Sequence, residues 1–366
     1  MRCVVLAESL QRKLSFVSHG TSSKNQLPIL SHVLLETTEN QIRLRTTDLE
    51  LGIETVIDAQ VEETGAITVL LKPFLELVNS LRQEKVTLFL EGSSLHIVSS
   101  KLQATLPVSQ ANEFPLLFEE KGEEVFSMNG GEFKKRFGRV VFATSSETTR
   151  PALSGVFIKG IDNKMILVAT DGYRLSLDAI EKESISSHSP LIIPAKLIRE
   201  AFFFKEEGDI ALFLLFQKKQ IIFTQGNDVI VGRQIEAEFP NYERILPSDL
   251  TTKILLDREE LQRAVKTSDI FAREAANVIV FSVQKDKILV SAKKSSIGEN
   301  TVEVEAQVKG EENEIAFNAK YLLEFLGNFI EEQVSFEMSG PLNPAIFSSP
   351  QTPSFIHLIM PIRTEE

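Results

Sequence analysis

Residues 191–204 read LIIPAKLIREAFFF: a short apolar run, a proline, and then an amphipathic helical pattern opening at Lys196. The stretch has two echoes, LLKPFLELVNSL at 70–81 with Lys72 and IAFNAKYLLEFL at 315–326 with Lys320. The steps are equal, since 196 − 72 and 320 − 196 are both 124. In each copy a Glu follows the Lys four residues on (Glu76, Glu200, Glu324), and the second residue after the Lys is apolar (Phe74, Ile198, Leu322). A Lys/Glu pair on a helix surface is common and contributes only about 0.3 kcal/mol. Three matches at constant spacing instead mark an internal repeat.

Each copy also opens alike, with SLQRKLSFV at 9–17, EFKKRFGRV at 132–140 and ELQRAVKTS at 260–268. With Leu10, Phe133 and Leu261 aligned, an apolar residue recurs four positions later (Leu14, Phe137, Val265), which is helical spacing. Two positions after the anchor stands a cation (Arg12, Lys135, Arg263), about 200° round the helix and so facing away from the core. Alternating stretches follow at 33–48, 156–171 and 278–293 and read as hairpins, before the second helix and further strands. The fold class is therefore α+β, three copies of helix, strands, helix, strands. The expected domains are 1–121, 122–248 and 249–366, with Pro- and charge-rich linkers NEFPLLFEEKGEEV and FPNYERILPSDLT.

A chain of 366 residues that is 43% apolar can bury several cores. Its one cysteine, Cys3, excludes an intrachain disulfide and multi-thiolate zinc sites, and the five histidines lack metal-ligand spacing, so neither metal nor cofactor is expected. The apolar runs are too short for a membrane span, which makes a soluble cytoplasmic protein the expectation. No GxGxxG, phosphate-binding lysine loop, HExxH or GxSxG occurs, and no catalytic site is expected.

The net charge of −12 hides a segregated distribution. The six expected helices (9–19, 72–82, 132–140, 194–206, 257–266 and 318–330) carry 15 Lys and Arg against 8 Asp and Glu. The remainder therefore holds 24 cations (39 − 15) and 43 anions (51 − 8). Helices sharing one side of the array make that side basic, fit to meet a phosphate backbone without reading bases; taken alone, charged helix faces also serve solubility.

With repeats and cationic helices in place, the chain resembles the beta subunit of bacterial DNA polymerase III, the replicative sliding clamp. The likeness runs through LPIL (27–30), TDLE (47–50), ATDGYRL (169–175), FPNYERILP (239–247), FNAKYLLEFL (317–326) and MPIR (360–363). It implies the DNA clamp fold and a head-to-tail homodimer, six domains in a ring whose helices line a hole around double-stranded DNA. The cations expected near DNA are Arg12, Lys72, Lys135, Lys196 and Arg263, with Lys24 and Arg150 added by the resemblance.

The resemblance further implies a groove between the second and third domains where the replicative polymerase, the clamp loader and other clients dock short linear peptides. From the second domain and its linker it takes Leu153, Thr170, Gly172, Tyr173, Arg174, Leu175, Pro240, Arg244 and Ile245. From the third it takes Asn318, Tyr321, Leu342, Met360, Pro361, Ile362 and Arg363. Leu175, Ile245, Met360 and Ile362 are expected as apolar subpockets, with Arg174, Arg244 and Arg363 at the rim. Gly172 permits a tight turn after Asp171. For ring closure, the strand around Leu106 is expected to meet the segment holding Ile270 and Phe271, although these two equally suit the third domain's own core.

Departures from the family pattern bear on the sites. Tyr173 stands where histidine is frequent, Pro151-Ala152 replaces an often aromatic pair, and Ser146-Glu147 occupies a loop that can touch DNA. Thr364-Glu365-Glu366 extends past the usual end, and its carboxylates are expected to weaken binding of acidic peptides. The rival reading is a three-repeat scaffold that binds proteins without encircling DNA.

Overall fold

The computed structural model describes residues 1–21, 27–82, 84–115, 122–147, 149–181, 190–274, 276–294 and 298–363. Among them are α1 (Ala7–Ser18), α2 (Leu71–Asn79), α3 (Gly130–Val141), α4 (Ala195–Ala201), α5 (Arg258–Ala272) and α6 (Ala319–Asn328); of the described strands, five lie between the two helices of the first copy and four between those of each other copy. The helical spacing is borne out in burial: Leu10, Leu14, Phe133, Phe137, Leu261 and Val265 are fully buried, whereas Arg12, Lys135 and Arg263 are exposed. Side-chain caps start three of the described helices, α3 among them, where the Asn129 amide oxygen accepts from the Gly131 N–H at 3.0 Å. The Asp257 carboxylate accepts from the Glu260 N–H at 2.9 Å, and the Asn318 amide oxygen from the Lys320 N–H at 3.0 Å.

The helix expected over 194–206 stops at Ala201. Phe202, Phe203 and Phe204 turn on tighter bonds to Arg199, Glu200 and Ala201. The Gln225 side chain then takes both backbone groups of Lys205, at 2.7 and 3.0 Å, drawing the chain away from the helix.

The chain divides into two compact units that do not follow the three copies: Met1–Glu132 with Lys196–Gln234, and Phe133–Ala195 with Ile235–Glu366. Sheet pairing gives the reason. In the first unit, strand Asp228–Arg233 of the central copy pairs antiparallel with Leu51–Asp58 of the first, from Val229 opposite Glu54 to Gly232 opposite Leu51, within one 13-stranded sheet. In the second unit, strand Arg174–Glu181 of the central copy pairs with Thr352–Ile359 of the third, from Arg174 opposite Ile359 to Asp178 opposite Phe355, within one 12-stranded sheet. Hydrogen-bonded ladders thus continue from copy to copy, and the central copy gives strands to both sheets.

The second unit's core is built on rings. Phe281, Phe317, Phe336 and Phe347 meet at centroid distances of 4.9 to 6.0 Å, against Leu322 and Phe325 of α6. The expected linker at 239–251 is part of a packed patch. Tyr242 joins Val168, Leu175 and Leu358, with Phe239 and Leu246 against them, and Phe239 stacks on Phe157 at 4.8 Å.

Candidate functional site

The turn Thr170–Arg174, within ATDGYRL, is built by its own side chains. The Thr170 hydroxyl donates to the Arg174 carbonyl at 2.6 Å and accepts from the Gly172 N–H at 3.0 Å. The Asp171 carboxylate accepts from the N–H groups of Tyr173 (2.9 Å) and Arg174 (3.0 Å). Gly172 has φ +95°, a left-handed geometry that a side chain resists. The turn lifts Tyr173 into solvent, 63% exposed.

Arg174, expected at the rim, lies inside. Its side chain is 6% exposed. Nε donates to Asp171 at 3.0 Å, while Nη2 donates to the Phe142 carbonyl at 3.0 Å and pairs with Glu324 of α6 at 2.6 Å. The guanidinium also stands 4.6 Å from the Tyr321 ring centroid. The reason is electrostatic: two carboxylates and a carbonyl offset the desolvation of one guanidinium, which an apolar rim cannot do. Behind it His357 is fully buried, its Nδ1 2.7 Å from the Ser176 hydroxyl and its ring stacked on Phe325 at 4.9 Å. Burial, with Arg174 adding to it, holds the imidazole well below its ordinary value of 6.5. Burial likewise raises the Tyr321 phenol, with Asp171 adding to it.

The chain's last described segment is tied to this turn. The Met360 N–H donates to the Tyr173 carbonyl at 2.9 Å and the Ile362 N–H to the Ala316 carbonyl at 2.8 Å. This brings Tyr173, Met360, Ile362 and the α6 cap Asn318 into one constellation. A polar cavity of about 300 Å³ opens beside it, lined by Phe142, the 144–147 segment, Asp171, Tyr173, Arg174, Lys320, Tyr321 and Glu324. Leu175 and Leu153 are buried, as is Thr170. Leu175 therefore underlies the surface rather than forming an open subpocket, because it packs with Val168, Tyr242 and Leu358. Ile245 (42%), Leu342 (60%) and Met360 (38%) are exposed large apolar residues of the same unit. Pro240, Arg244 and Arg363 are exposed there too, with Pro361 half-buried.

The first unit carries an internal counterpart. Thr47–Leu51 repeats the turn bond for bond: the Thr47 hydroxyl donates to the Leu51 carbonyl and accepts from the Leu49 N–H, and Asp48 accepts from the N–H groups of Glu50 and Leu51. Leu49, at φ +77°, occupies the place of Gly172. Asp48 receives Lys196 Nζ at 2.7 Å; although burial pushes its carboxyl up, Lys196 and the backbone donors hold it below the usual range. Register makes Glu50 and Arg233 the counterparts of Tyr173 and Met360, and both are exposed. The repeated Lys/Glu pair is thus used differently in the central and third copies. Lys320 lies 4.0 Å from Glu324 within α6, whereas Lys196 goes to Asp48 and Glu200 to His19 at 2.9 Å, both in the first copy.

Of the cations expected near DNA, Arg12, Lys72, Lys135, Arg150, Lys196 and Arg263 are all exposed. Lys24 lies outside the described residues, as does the 364–366 tail. Sequence reasoning did not find Phe142, Ser176 or His357, which reach Arg174 or its surroundings only through folding and carry no local signal; Glu324 was visible only as a repeat position.

Each unit also carries a strand whose pairing changes sides. In Gln103–Gln110, residues 103–107 pair with Ser94–Val98, and residues 108–110 pair on the other side with Gly65–Leu70. In Gly298–Lys309, residues 298–305 pair with Lys287–Lys294, and residues 306–309 on the other side with Thr252–Asp257. Among the described residues, 103–107 and 298–305 therefore each have a partner strand on one side only. Half-buried Leu106 sits in the first of these stretches. The expectation for Ile270 and Phe271 divides: Ile270 on α5 is 60% exposed, and Phe271 packs against the third copy's core.

Among the described residues, no group of three or more His, Cys, Asp or Glu is placed to hold a metal ion, and no helix is long and apolar enough to cross a membrane.

Comparison with known proteins matches residues 1–118 to the DNA polymerase III beta subunit N-terminal domain, 127–241 to its central domain and 243–363 to its C-terminal domain. The beta sliding clamp of Chlamydia muridarum is 26% identical over the whole of both chains, and that of Staphylococcus epidermidis 28% over 94% of each. Among solved structures, a sliding clamp from Pseudomonas aeruginosa bound to griselimycin superposes over the whole of both chains with a TM-score of 0.94 at 26% identity. The DNA polymerase III beta subunit of Thermotoga maritima does so with 0.91 at 25%.

Proposed function

The chain belongs to the DNA polymerase III beta subunit family, and from that premise we propose that two copies close head to tail into a ring that encircles duplex DNA and tethers the replicative polymerase. The observation that carries the reading is the pair of one-sided strands, 103–107 in the first copy and 298–305 in the third. A strand with free N–H and C=O groups is an aggregation hazard unless something pairs with it. Two different open stretches at the two ends of one repeat array suit a heterologous contact that closes after one partner. Pro107, which has no N–H to offer, sits on such an edge. Exposed Ile270 and half-buried Leu106 supply apolar contact beside it.

In the ring the six helices line the hole, and Arg12, Lys72, Lys135, Lys196 and Arg263, with Arg150 and Lys24, meet phosphates. Such contacts are sequence-independent, wet and screened by salt, so the ring slides while its closure prevents escape. A polymerase bound to it rebinds DNA as an intramolecular event, which raises processivity with no chemistry by the clamp itself. The domains follow the repeats, 1–121, 122–248 and 249–366, and the protein works in the cytoplasm.

Client peptides, those of the clamp loader included, dock on the second unit over Tyr173, Ile245, Leu342, Met360 and Ile362. The internal counterpart supports this choice: the same turn in the first unit presents Glu50 and Arg233 where the second presents Tyr173 and Met360. At these two positions only the second unit therefore offers apolar anchors; the exposed apolar residue of the first unit's turn, Leu49, stands instead at the place of Gly172. The deciding experiment is negative-stain electron microscopy without imposed symmetry. A six-lobed ring with an open centre is the expected outcome; a compact three-lobed particle leaves the peptide-binding scaffold as the better reading.

A further inference from the structure

The position 124 residues before Phe203 is Asn79 and the position 124 after it is Gly327, and all three are exposed. Two copies meet solvent there with a polar or absent side chain. The central copy presents a phenyl ring that is 58% exposed. Its neighbour Phe204 does the packing, buried against Phe16 at 5.9 Å. Phe203 itself is braced from one side, by the His19 imidazole standing edge-on at 4.0 Å and 82°. That imidazole is in turn held by Glu200 at 2.9 Å.

Exposed cations stand along both segments that carry the ring and its brace. Along α1 and its C-cap, Arg12, Phe16 and His19 fall at helical spacing on one stripe, and Lys196, Arg199 and Phe203 do so along α4 and the turn after it. Arg12, Lys196 and Arg199 are exposed; Lys196 is paired with Asp48 at 2.7 Å and His19 with Glu200 at 2.9 Å. An oriented aromatic face within a cationic stripe matches the single-strand binding pattern, in which cations follow the backbone and a ring receives a base. A protein anchor would instead sit in an apolar pocket rimmed by further apolar contacts.

We infer that Phe203, braced by His19 on a surface whose two helices also carry exposed Arg12, Lys196 and Arg199, is a stacking platform for an unpaired base of single-stranded DNA. The inference rests on the clamp reading, since α1 and α4 must face the DNA. Bases of a continuous duplex are stacked on one another and give the ring nothing to hold. At a gap or overhang one base swings onto Phe203, and the clamp slides more slowly there than on duplex.

The chain has no tryptophan and three tyrosines, so Phe203→Trp places a lone tryptophan, excited selectively at the red edge where tyrosine does not absorb, at the proposed contact. The full-length variant is titrated with a blunt duplex and with the same duplex carrying an oligo-dT overhang, and Phe203→Ala is titrated in parallel by anisotropy. Expected are quenching of the tryptophan by the overhang DNA alone and, for Phe203→Ala, about tenfold weaker overhang binding with blunt-duplex affinity unchanged. Equal quenching by both DNAs, no quenching, or an undiminished overhang preference in Phe203→Ala overturns the inference while the clamp reading stands. A tryptophan that responds to an apolar peptide and not to DNA overturns it in favour of protein docking. Failure of the wild-type protein to bind either DNA removes the clamp reading and this inference together.

Discussion

Arg174 in the turn after strand Lys164–Thr170 and Glu324 on α6 stand 2.6 Å apart, an ion pair that joins the central copy to the third beneath Tyr173 and Tyr321. Their side chains are 6% and 35% exposed, so the arginine is the desolvated partner and the glutamate its bridge to solvent. The turn is held by this pair, by Asp171 and by the Phe142 carbonyl, and Met360 hangs on the turn's own backbone.

Arg174→Met leaves Asp171 and Glu324 facing each other without their cation and the Phe142 carbonyl without its donor. A loss of roughly 2–3 kcal/mol in unfolding free energy is expected, together with weaker binding of client peptides. The double variant Arg174→Met, Glu324→Gln recovers part of the stability by removing one orphaned charge. Denaturant unfolding of the four proteins of the cycle measures the coupling; additive losses would show that the pair does not act as one unit.

His357 makes the second unit sensitive to acid. Its folded value is depressed by burial and by Arg174, so below the ordinary value of 6.5 the unfolded chain takes up a proton that the folded chain refuses. Stability is therefore fully present above about pH 6.5 and is lost as pH falls toward the folded value. Asp178, whose carboxyl burial raises despite Arg136 and Arg139, contributes with the opposite sign. The informative quantity is the difference between wild type and His357→Gln. Melting temperatures from pH 7.5 to 5 are expected to fall less in the variant, and parallel curves would remove His357 as the cause.

Gly172 and Leu49 occupy the same place in two copies of one turn, at φ +95° and +77°. Gly172→Ala is expected to cost roughly 1–2 kcal/mol through the left-handed backbone alone, since an added Cβ meets only the Arg150 Nη1 at 3.4 Å. Leu49→Gly relieves the same strain but gains less, because the unfolded chain becomes more flexible. Thermal melts of the two single variants test the sign of each. A stabilised Gly172→Ala protein would contradict the account.

What was legible in the sequence is what repeats or alternates. Constant spacing showed three copies, and burial of Leu10, Phe133 and Leu261 with exposure of Arg12, Lys135 and Arg263 followed from helical phase alone. The constellation of Tyr173, Met360 and Ile362 came through resemblance to a family. Partner choice by polar side chains was not legible. Nothing in the spacing of Lys196 and Glu200 says that they turn to Asp48 and His19 rather than to each other. Nor does Arg174 announce burial, because its partners Glu324 and Phe142 lie 150 and 32 residues away along the chain.

Ile270 tests the ring most directly. It is 60% exposed on α5, on the same helix whose Ser268 hydroxyl accepts from the Asn300 side chain of the one-sided strand at 3.0 Å. An aspartate at this position costs the isolated chain little, because the side chain already meets water. In the proposed interface it buries a carboxylate against apolar surface, beside Glu299, Glu303 and Glu305 of the same chain. Ile270→Asp is therefore expected to sediment near the monomer mass of 41.0 kDa, with an unchanged far-ultraviolet spectrum and unchanged binding of client peptides, where wild type sediments at twice that mass. A variant that remains dimeric at micromolar concentration would move the interface away from α5.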